Sequence, residues 1–322
     1  NRVLEDPSKV SQVVKIAKDQ GIRGVKNKLN SINEKLGTVG YSISGEVIDV
    51  GDNVENIRVG DLVAAGGGGY AVHAEVVVVP KNLVVKVPVG VDLIPASLGT
   101  VGAIALHGVR RANLALGEYG VVFGVGLIGM LAVQILKASG VKVACIDINA
   151  ERLNISKVLG ADKIIDATVE DPVLAIQNWS AGYGADAILF TATTIEDKPL
   201  SQAFNMCRRK GKVVLIGVSG MNIDRNDIYK NEIDLLISTS YGPGRYDNNY
   251  EIEGNDYPYA YVRWTENRNI ESFLNLIKEG KVSIDKMTSK IYSYDNADVA
   301  YDNVQSSPND HIITILDYGR TN

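Results

Sequence analysis

The sequence contains little of what most often builds a metal centre. In 322 residues it has two cysteines and three histidines. Cys145 and Cys207 each lie in an apolar, periodic segment, and neither has a second cysteine or a histidine at metal-ligand spacing. A zinc site of four cysteines is therefore excluded, and we expect two buried free thiols. So few cysteines also fit a reducing compartment, and we expect a cytoplasmic protein.

Two further absences narrow the class of partner. No stretch approaches the roughly 18–20 consecutive apolar residues that a membrane span needs. Lysine and arginine form no cluster and the net charge is −5, whereas a nucleic-acid-binding protein normally has a basic face. We therefore expect neither a membrane nor a nucleic acid as partner, and a small molecule as the ligand.

The first part of the chain is predicted to contain a small β domain. Residues 1–36 have the apolar spacing of helices. Residues 41–50, 75–79 and 84–87 are strand-like runs separated by glycine and proline. Short strands with such breaks favour a barrel-like domain. The length suggests a second domain, since a single core rarely grows beyond about 250–300 residues.

The sequence pattern changes near residue 103, where predicted helices of about ten residues begin to alternate with apolar strands. This alternation predicts a parallel, doubly wound sheet of the Rossmann type. The predicted strands are residues 119–123, 141–147, 163–165, 185–192, 212–217 and 235–239, and the predicted helices are residues 103–111, 127–139, 150–159, 171–179 and 200–209. Beyond them we predict a loop over 243–265, a helix over 270–279 and a closing strand over 312–316.

Three glycines lie where a strand meets a helix. Gly124, Gly126 and Gly129 match G-x-G-x-x-G directly after one predicted strand and at the start of the next helix, the context that dinucleotide binding requires. The first permits a tight turn, the second lets a pyrophosphate approach the backbone, and the third lets helix and strand pack closely. Free N–H groups and the helix dipole then favour the phosphates.

An acidic residue ends the second strand of this unit. Asp147 lies 18 residues after Gly129, where its carboxylate can accept both hydroxyls of a ribose and repel a 2′-phosphate, so NAD is favoured over NADP. Arg152 is near enough to weaken that preference. With the carboxyl ends of later strands, the predicted cofactor residues are Gly124, Val125, Gly126, Leu127, Ile128, Gly129, Asp147, Ile148, Arg152, Thr191, Ala192, Thr193, Gly217, Val218 and Ser219.

Together, residues 45–51, 59–63 and 117–166 resemble the medium-chain dehydrogenases/reductases, the zinc alcohol dehydrogenase superfamily. The resemblance implies an α/β fold in which a Rossmann domain is joined to a GroES-like β-barrel domain that the C-terminal segment completes. It implies a GroES-like part over residues 1–106, a Rossmann domain over 107–242 and a return to the first domain over 243–322. A homodimer formed along the last Rossmann strand is implied by the same analogy.

A narrower resemblance covers residues 36–45, 70–75, 241–247 and 256–264. These segments are similar to bi-domain oxidoreductases of bacterial polysaccharide biosynthesis. In that group a second oxidoreductase module, similar to glucose-fructose oxidoreductase, follows the first, which implies such a module after Asn322. The resemblance also implies that the chain begins inside the GroES-like domain, after its first strands.

The family's zinc ligands are replaced in this sequence. Where the family has Gly-His-Glu, the chain has Gly40-Tyr41-Ser42, and Thr100 occupies the place of the second catalytic cysteine. The first cysteine would precede the chain. Neutral hydroxyls are poor zinc ligands beside thiolate and imidazole. We therefore expect no zinc and no other metal.

Without zinc, another group must handle the substrate oxygen. Tyr41 takes the place of the lost ligand and, being protonated near neutral pH, suits the reduction of a carbonyl. The alternative is a structural tyrosine in the cleft wall. His107 and Thr100 are the other catalytic candidates, and a packed histidine is the alternative for His107.

The segment after the predicted Rossmann domain is rich in tyrosine and arginine. We predict that Arg245, Tyr246, Arg263 and Trp264 bind substrate, because aromatic faces stack on sugars and arginine forks bind carboxylate or phosphate. A uronate or a sugar nucleotide has both features. A dimer or inter-module contact is the alternative, since the same residue types are enriched at interfaces.

The leading hypothesis is therefore a zinc-independent, NAD-dependent oxidoreductase that acts on a sugar-like alcohol or carbonyl. Two alternatives stay open at this stage. One is a non-catalytic NAD-binding scaffold or regulatory module, which the missing zinc ligands favour. The other is a quinone or enone reductase, which also dispenses with zinc.

Overall fold

The computed structural model describes residues 38–307 and 311–319. Its internal contacts divide the chain into two units, residues 1–39 and 40–322. Of the first unit only Thr38 and Val39 are described, so the following concerns the second. The helical segment predicted over residues 1–36 lies outside the described residues.

The second unit begins with a small antiparallel sheet. It consists of β1 (Ser42–Glu46), β2 (Leu62–Gly66) and β3 (Val84–Lys86), in that order. A short helix, α1 (Leu93–Ala96), packs against β1, and the hydroxyls of Ser42 and Ser44 donate hydrogen bonds of 2.6 Å to the carbonyls of Ser97 and Leu93. These bonds fix β1 against the helical segment that follows it.

The prediction of a strand over residues 75–79 is wrong. That run is irregular, and its valines Val76 and Val78 are exposed. A run of β-branched residues forms a strand only when it finds a partner strand and a surface to pack on. Its composition alone therefore gave the wrong structure.

The predicted parallel sheet is confirmed. Six strands pair in the order β6-β5-β4-β7-β8-β9, all parallel, which is the doubly wound Rossmann order. The strands are β4 (Tyr119–Phe123), β5 (Lys142–Asp147), β6 (Lys163–Asp166), β7 (Ala185–Phe190), β8 (Cys207–Leu215) and β9 (Asp234–Ile237).

Helices cover both faces of this sheet. Neighbouring residues such as Val121 and Val122 are both fully buried because they face opposite core layers, as parallel strands require. The helices from α2 to the last strand of this sheet are α2 (Gly99–Ala112), α3 (Leu127–Ala138), α4 (Ala150–Val158), α5 (Pro172–Trp179), α6 (Lys198–Met206) and α7 (Arg225–Tyr229). The helix α2 runs across the predicted domain boundary at residue 106, and the three predicted domain ranges stay predictions.

The last part of the chain contributes α8 (Asn248–Glu251), α9 (Glu266–Lys278), β10 (Thr288–Ser293), α10 (Ala297–Ser306) and β11 (Ile313–Asp317). The strands β10 and β11 pair in parallel and form a sheet separate from β1–β3. The helix α9 carries the contact with the first sheet, because its residues Ile270 and Leu274 share a core with residues of β2 and β3. The closing strand was predicted, whereas β10 and α10 were not. Within the described residues, no helix is long and apolar enough to cross a membrane.

Helices α2 and α9 meet at a glycine. Gly102 of α2 is buried, and Phe273 of α9 is fully buried directly over it. A Cβ added at Gly102 would overlap the phenyl ring at several atoms. The close approach of these two helices therefore depends on the missing side chain.

We predict that Gly102→Ala lowers the free energy of unfolding. The ring of Phe273 is fully buried against this position, and overpacking costs about 1–3 kcal/mol, which offsets or exceeds the ~1 kcal/mol that alanine gains over glycine in a helix. Chemical denaturation measures the effect. The control is Gly45→Ala in β1, where the added Cβ meets no atom within 4 Å. A Gly102→Ala protein as stable as this control would contradict the packing argument.

Candidate functional site

The turn between β4 and α3 is shaped by two glycines that tolerate no side chain. Gly124 has φ +98°, a left-handed conformation, and a Cβ there would lie 2.6 Å from backbone atoms of Ala192. A Cβ at Gly129 would overlap the carbonyl oxygen of Gly124. The first glycine therefore lets β4 approach the end of β7, and the last lets α3 approach its own turn.

The middle glycine has a different role. Gly126 is the residue that caps α3, its φ of −74° suits any residue, and no atom lies within 4 Å of a Cβ built on it. No side chain caps this helix, and the backbone N–H groups of its first turn have no intrahelical partner. An uncapped helix start with open space at Gly126 suits an anion such as a pyrophosphate.

The ends of β7 and β8 complete this edge of the sheet. The Thr191 hydroxyl donates to the carbonyl of Gly124, and the N–H groups of Thr191 and Ala192 donate to Phe123 at 2.9 Å. One step further, Thr193 and Val218 form an isolated parallel bridge. The predicted cofactor residues of 191–193 and 217–219 thus lie at the same carboxyl edge as the glycine-rich turn, and their role in binding stays a prediction.

The carboxylate of Asp147 is held by backbone N–H groups at the end of β5. It accepts hydrogen bonds from Val125 (2.7 Å), Ile148 (2.8 Å) and Asn149 (2.9 Å). A carboxylate has about four acceptor positions, so roughly one remains for a hydroxyl, whereas two ribose hydroxyls were expected. Asp147 therefore ties the glycine-rich turn to the next strand in addition to presenting a negative charge.

The region beyond Asp147 contains both signs of charge. Asn149 caps α4, and its side chain accepts from the N–H of Arg152 at 3.1 Å. Ile148 is exposed. Arg152 thus lies in the first turn of α4, shortly after Asp147 at the end of β5, and the role of the two residues in distinguishing NAD from NADP stays a prediction.

The residues at the family's zinc-ligand positions are brought together at the junction of β1 and α2. The Thr100 N–H donates to the Ser42 hydroxyl at 3.3 Å, and the Thr100 hydroxyl donates to the carbonyl of Ala65 at 3.5 Å. Thr100 is 1% exposed, whereas the side chain of Tyr41 is 46% exposed. Of the two, only Tyr41 is accessible to a substrate, and the hydroxyl of Thr100 serves the packing of α2 on β2.

This donor set does not fit a catalytic zinc. Its side chains offer neutral hydroxyls, which bind zinc poorly in comparison with thiolate, imidazole or carboxylate. In the part of the chain that the structure describes, no three His, Cys, Asp or Glu side chains are grouped so that they could hold a metal ion. Cys145 and Cys207 are both buried free thiols, as predicted.

His107 lies on α2 beside the segment that follows the last strand. It is half-buried, and its ring lies close to Gly242. Burial, with Arg111 and Arg110 nearby, lowers the pKa of His107 to about 4. The imidazole is therefore neutral near pH 7 and is not a proton donor there, which favours the packed alternative over an acid role.

The two arginines among the predicted substrate residues differ in whether a carboxylate of the protein pairs with them. Arg245 donates to the buried carboxylate of Glu251 at 2.7 Å and lies on the ring of Tyr246, which is exposed. Arg263 is exposed and lies on the ring of Trp264, 3.7 Å from its centre. Arg245 is thus neutralised by the protein, whereas Arg263 is not paired with any carboxylate of the described residues.

Two buried polar side chains, Glu266 and Tyr241, were not predicted. Glu266 is fully buried at the start of α9, and neither of its carboxylate oxygens has a hydrogen-bond partner among the described residues. The Tyr241 hydroxyl is likewise buried without such a partner. Burial, with Glu251 nearby, raises the pKa of Glu266 to about 9, and burial also raises the pKa of Tyr241. An acidic residue in the first turn of a helix is ordinarily explained by the helix dipole, so no local pattern indicates that Glu266 is buried.

The sequence comparisons with known proteins all match dehydrogenases. A family model described as zinc-binding dehydrogenase matches residues 128–252. An (R,R)-butanediol dehydrogenase of Bacillus subtilis (strain 168) is 32% identical over 283 residues, which are 79% of this chain and 72% of that protein. An alcohol dehydrogenase of Geobacillus stearothermophilus is 30% identical over 217 residues, which are 57% of this chain and 61% of that protein.

Comparison with solved structures also matches a butanediol dehydrogenase. The crystal structure of 2R,3R-butanediol dehydrogenase from Bacillus subtilis superimposes with a TM-score of 0.73 at 25% identity, covering 90% of this chain and 83% of that one. The likeness thus extends well beyond the dinucleotide-binding sheet.

We predict that Gly126→Val weakens NADH binding at least 10-fold and leaves the fold intact. The valine side chain has room in the protein but would occupy the space in front of the helix start that the pyrophosphate needs. Titration of NADH fluorescence measures affinity, and thermal unfolding measures stability. Gly51→Val is the control, because that position is also open but lies in a loop remote in sequence. Equal NADH affinity in Gly126→Val and in the control would place the dinucleotide elsewhere.

We predict that Glu266→Gln removes a pH dependence of stability. Because the pKa of Glu266 is about 9 in the folded protein and 4.5 is its ordinary value, the folded state keeps a proton that the unfolded state has lost between these limits. Stability therefore falls as pH rises through this window, by up to about 1.4 kcal/mol per pH unit.

The measurement is the free energy of unfolding of both proteins between pH 5 and 9. The stability of Glu266→Gln relative to the unmodified protein should increase with pH. Glu253→Gln, at an exposed glutamate, is the control and should show no such trend. Parallel pH profiles for all three proteins would contradict the burial of an unpaired carboxyl group.

Proposed function

The chain belongs to the zinc-binding dehydrogenases of the medium-chain dehydrogenase/reductase superfamily, NAD(P)-dependent oxidoreductases, and we propose that it transfers hydride between NAD and a sugar-like alcohol or carbonyl without zinc. The observation that carries the proposal is the glycine-rich turn at Gly124–Gly129 with its open, uncapped helix start. When bound, the nicotinamide would supply the hydride acceptor for oxidation of an alcohol, and a residue of this chain would have to take the hydroxyl proton.

The proposal that zinc is absent rests on the donor set. Tyr41 and Thr100 occupy ligand positions, and Thr100 is already engaged with Ser42 and Ala65. A metal there would lack the soft or anionic ligands that zinc sites use. The protein must then stabilise the substrate oxygen by hydrogen bonding.

Tyr41 is the residue we propose for that task. Its backbone is fixed at the start of β1, where its carbonyl accepts the N–H of Gly67 at 3.1 Å, while much of its ring is exposed. A phenol can donate to the carbonyl oxygen as hydride arrives and take the proton back in the reverse direction. His107 and Thr100 are weaker candidates, because one is neutral and packed and the other is buried.

We propose NAD as the cofactor over NADP. The carboxylate of Asp147, fixed by three N–H groups, places a negative charge at the end of β5, where a 2′-phosphate would have to lie. The adjacent Arg152 is the residue that would reduce this discrimination.

The biological setting follows from the resemblance to the bi-domain oxidoreductases. We propose a role in polysaccharide biosynthesis in the cytoplasm, a homodimer formed along β9, and a second oxidoreductase module after this chain. A sugar nucleotide or a uronate fits the aromatic and basic residues of segment 241–264. A non-catalytic NAD-binding module is the second candidate, because the replaced zinc ligands also favour it.

Hydride exchange tests the proposal. Deuterium from C4-labelled NADH should appear in the alcohol formed from a sugar-like carbonyl, with NADPH less effective and a zinc chelator without effect. Tyr41→Phe should lower turnover roughly 10²-fold or more and leave NADH affinity unchanged, since general acid catalysis contributes about 10²–10⁴-fold. The control is Tyr183→Phe, at an exposed tyrosine.

Three outcomes would contradict it. Tight NADH binding without transfer to any sugar nucleotide, uronate or quinone would leave the scaffold function. Transfer only to quinones or enones would identify a reductase of that class. Equimolar zinc, with activity lost on chelation, would overturn the proposed zinc-free reaction.

A further inference from the structure

Four arginines lie on aromatic rings of the segment 241–264, and they divide into two classes. Arg245 is paired with Glu251, and Arg268 with Asp256. The other two, Arg110 and Arg263, have no carboxylate within 4 Å among residues 38–307 and 311–319. Charge that the protein leaves uncompensated is available to a ligand.

The two unpaired guanidinium groups converge on one indole. The Arg110 Cζ lies 3.3 Å from the centre of the Trp264 ring, and the Arg263 Cζ lies 3.7 Å from it. Both charges lie over one ring, whose face attracts a cation, and neither is paired with a carboxylate of the described residues. Burial, together with the charge of Arg263, lowers the pKa of Arg110 to about 10, which agrees with the absence of a counter-charge.

The protein holds Arg110 in place with neutral groups. Its Nε donates to the Asn269 Oδ1 at 3.0 Å, and its Nη2 donates to the Ser272 Oγ at 3.1 Å. Asn269 is itself fully buried and donates to the carbonyl of Tyr241 at 3.0 Å. These bonds use two of the five N–H donors of Arg110, and the guanidinium is oriented before any ligand arrives.

The surroundings favour a small, sugar-like ligand. The ring of Tyr259 lies beside Arg263 and Arg268, whose Cζ atoms are 4.5 and 5.1 Å from its centre, and because Tyr259 is 56% exposed, part of its surface remains open next to the charge. Trp264 itself is covered by the guanidinium groups, so it orients the arginines and is not a stacking platform. The net charge of −5 argues against a general attraction for anions, so the attraction is local to this pair.

We propose that Arg110 and Arg263, held on Trp264, form the site that binds the carboxylate or phosphate group of the substrate, and that Tyr259 contacts its sugar-like part. This inference rests on the proposed function and specifies its substrate class. It assigns the anion to a residue of α2, Arg110, that the sequence did not single out, and not to Arg245. A planar guanidinium binds either oxyanion through two parallel N–H bonds, and the two sources must be separated by experiment.

Trp264 provides the signal for the test. The chain has two tryptophans, Trp179 and Trp264, so in a Trp179→Phe background the indole between the arginines reports alone. The NAD⁺-loaded protein is titrated with glucuronate, glucose 1-phosphate, inorganic phosphate and glucose. We expect a saturable fluorescence change with glucuronate or glucose 1-phosphate, weaker binding of phosphate, and none with glucose.

The variants locate the anion. Arg110→Gln and Arg263→Gln should each weaken binding of the sugar anion at least 10-fold and leave NADH affinity unchanged, since hydrogen bonds to charged groups are strong. Arg111→Gln, an exposed neighbour with the same loss of charge, should change binding less than 2-fold. Because Arg263 is exposed, loss of the fold does not explain an effect of its removal.

Several results would overturn the proposal. These are equal binding of glucose and glucuronate, binding of phosphate that no sugar acid or sugar phosphate improves, no response to any of these anions, and equal weakening by Arg111→Gln. All of them can occur while NADH still binds and exchanges hydride, so they would leave the proposed function standing. Absence of NADH binding in the unmodified protein would instead remove the proposed function.

Discussion

The close approach of three backbone segments at the carboxyl edge of the sheet is the constraint on which the rest depends. The turn at Gly124 lies against the backbone of Ala192, α3 starts against the carbonyl of Gly124, and Gly217 lies against Ala192. A single methyl group at any of these glycines would separate the strands. The turn is thus held close to its neighbours, while the helix start at Gly126 is left uncapped and open, which is the feature on which the proposed phosphate site depends.

Asp147 connects this geometry to specificity. Its three hydrogen bonds anchor the carboxylate against the glycine-rich turn, so the residue that we propose to discriminate NAD from NADP also stabilises the turn. The charge is thus fixed in position before the cofactor binds, and preorganised charge discriminates better than charge on a mobile side chain. The same strategy holds at Arg110, where buried neutral groups orient a cation.

The features of the fold that could be predicted from the sequence are those that a local pattern of residues determines. Six apolar strands, their helices and the spacing from Gly124 to Asp147 are periodic features, and the structure has them with small shifts in their ends. The prediction of a strand over 75–79 was wrong because the pairing of strands depends on partners that are distant in sequence. The pairing of Arg245 with Glu251 and the burial of Glu266 also arise from tertiary packing, so no local signal separates the neutralised arginine from the unpaired ones.

The junction of β1 and α2 explains how a member of a zinc-binding family can keep its fold with hydroxyls at the ligand positions. Ser42 donates to Ser97 and accepts from Thr100, and Thr100 donates to Ala65, so hydrogen bonds join β1, β2 and the start of α2. Gly66 lies next to the Thr100 hydroxyl and leaves it the space it needs. This junction is closed by packing, and the exposed Tyr41 beside it is the residue that we propose to bind the substrate oxygen.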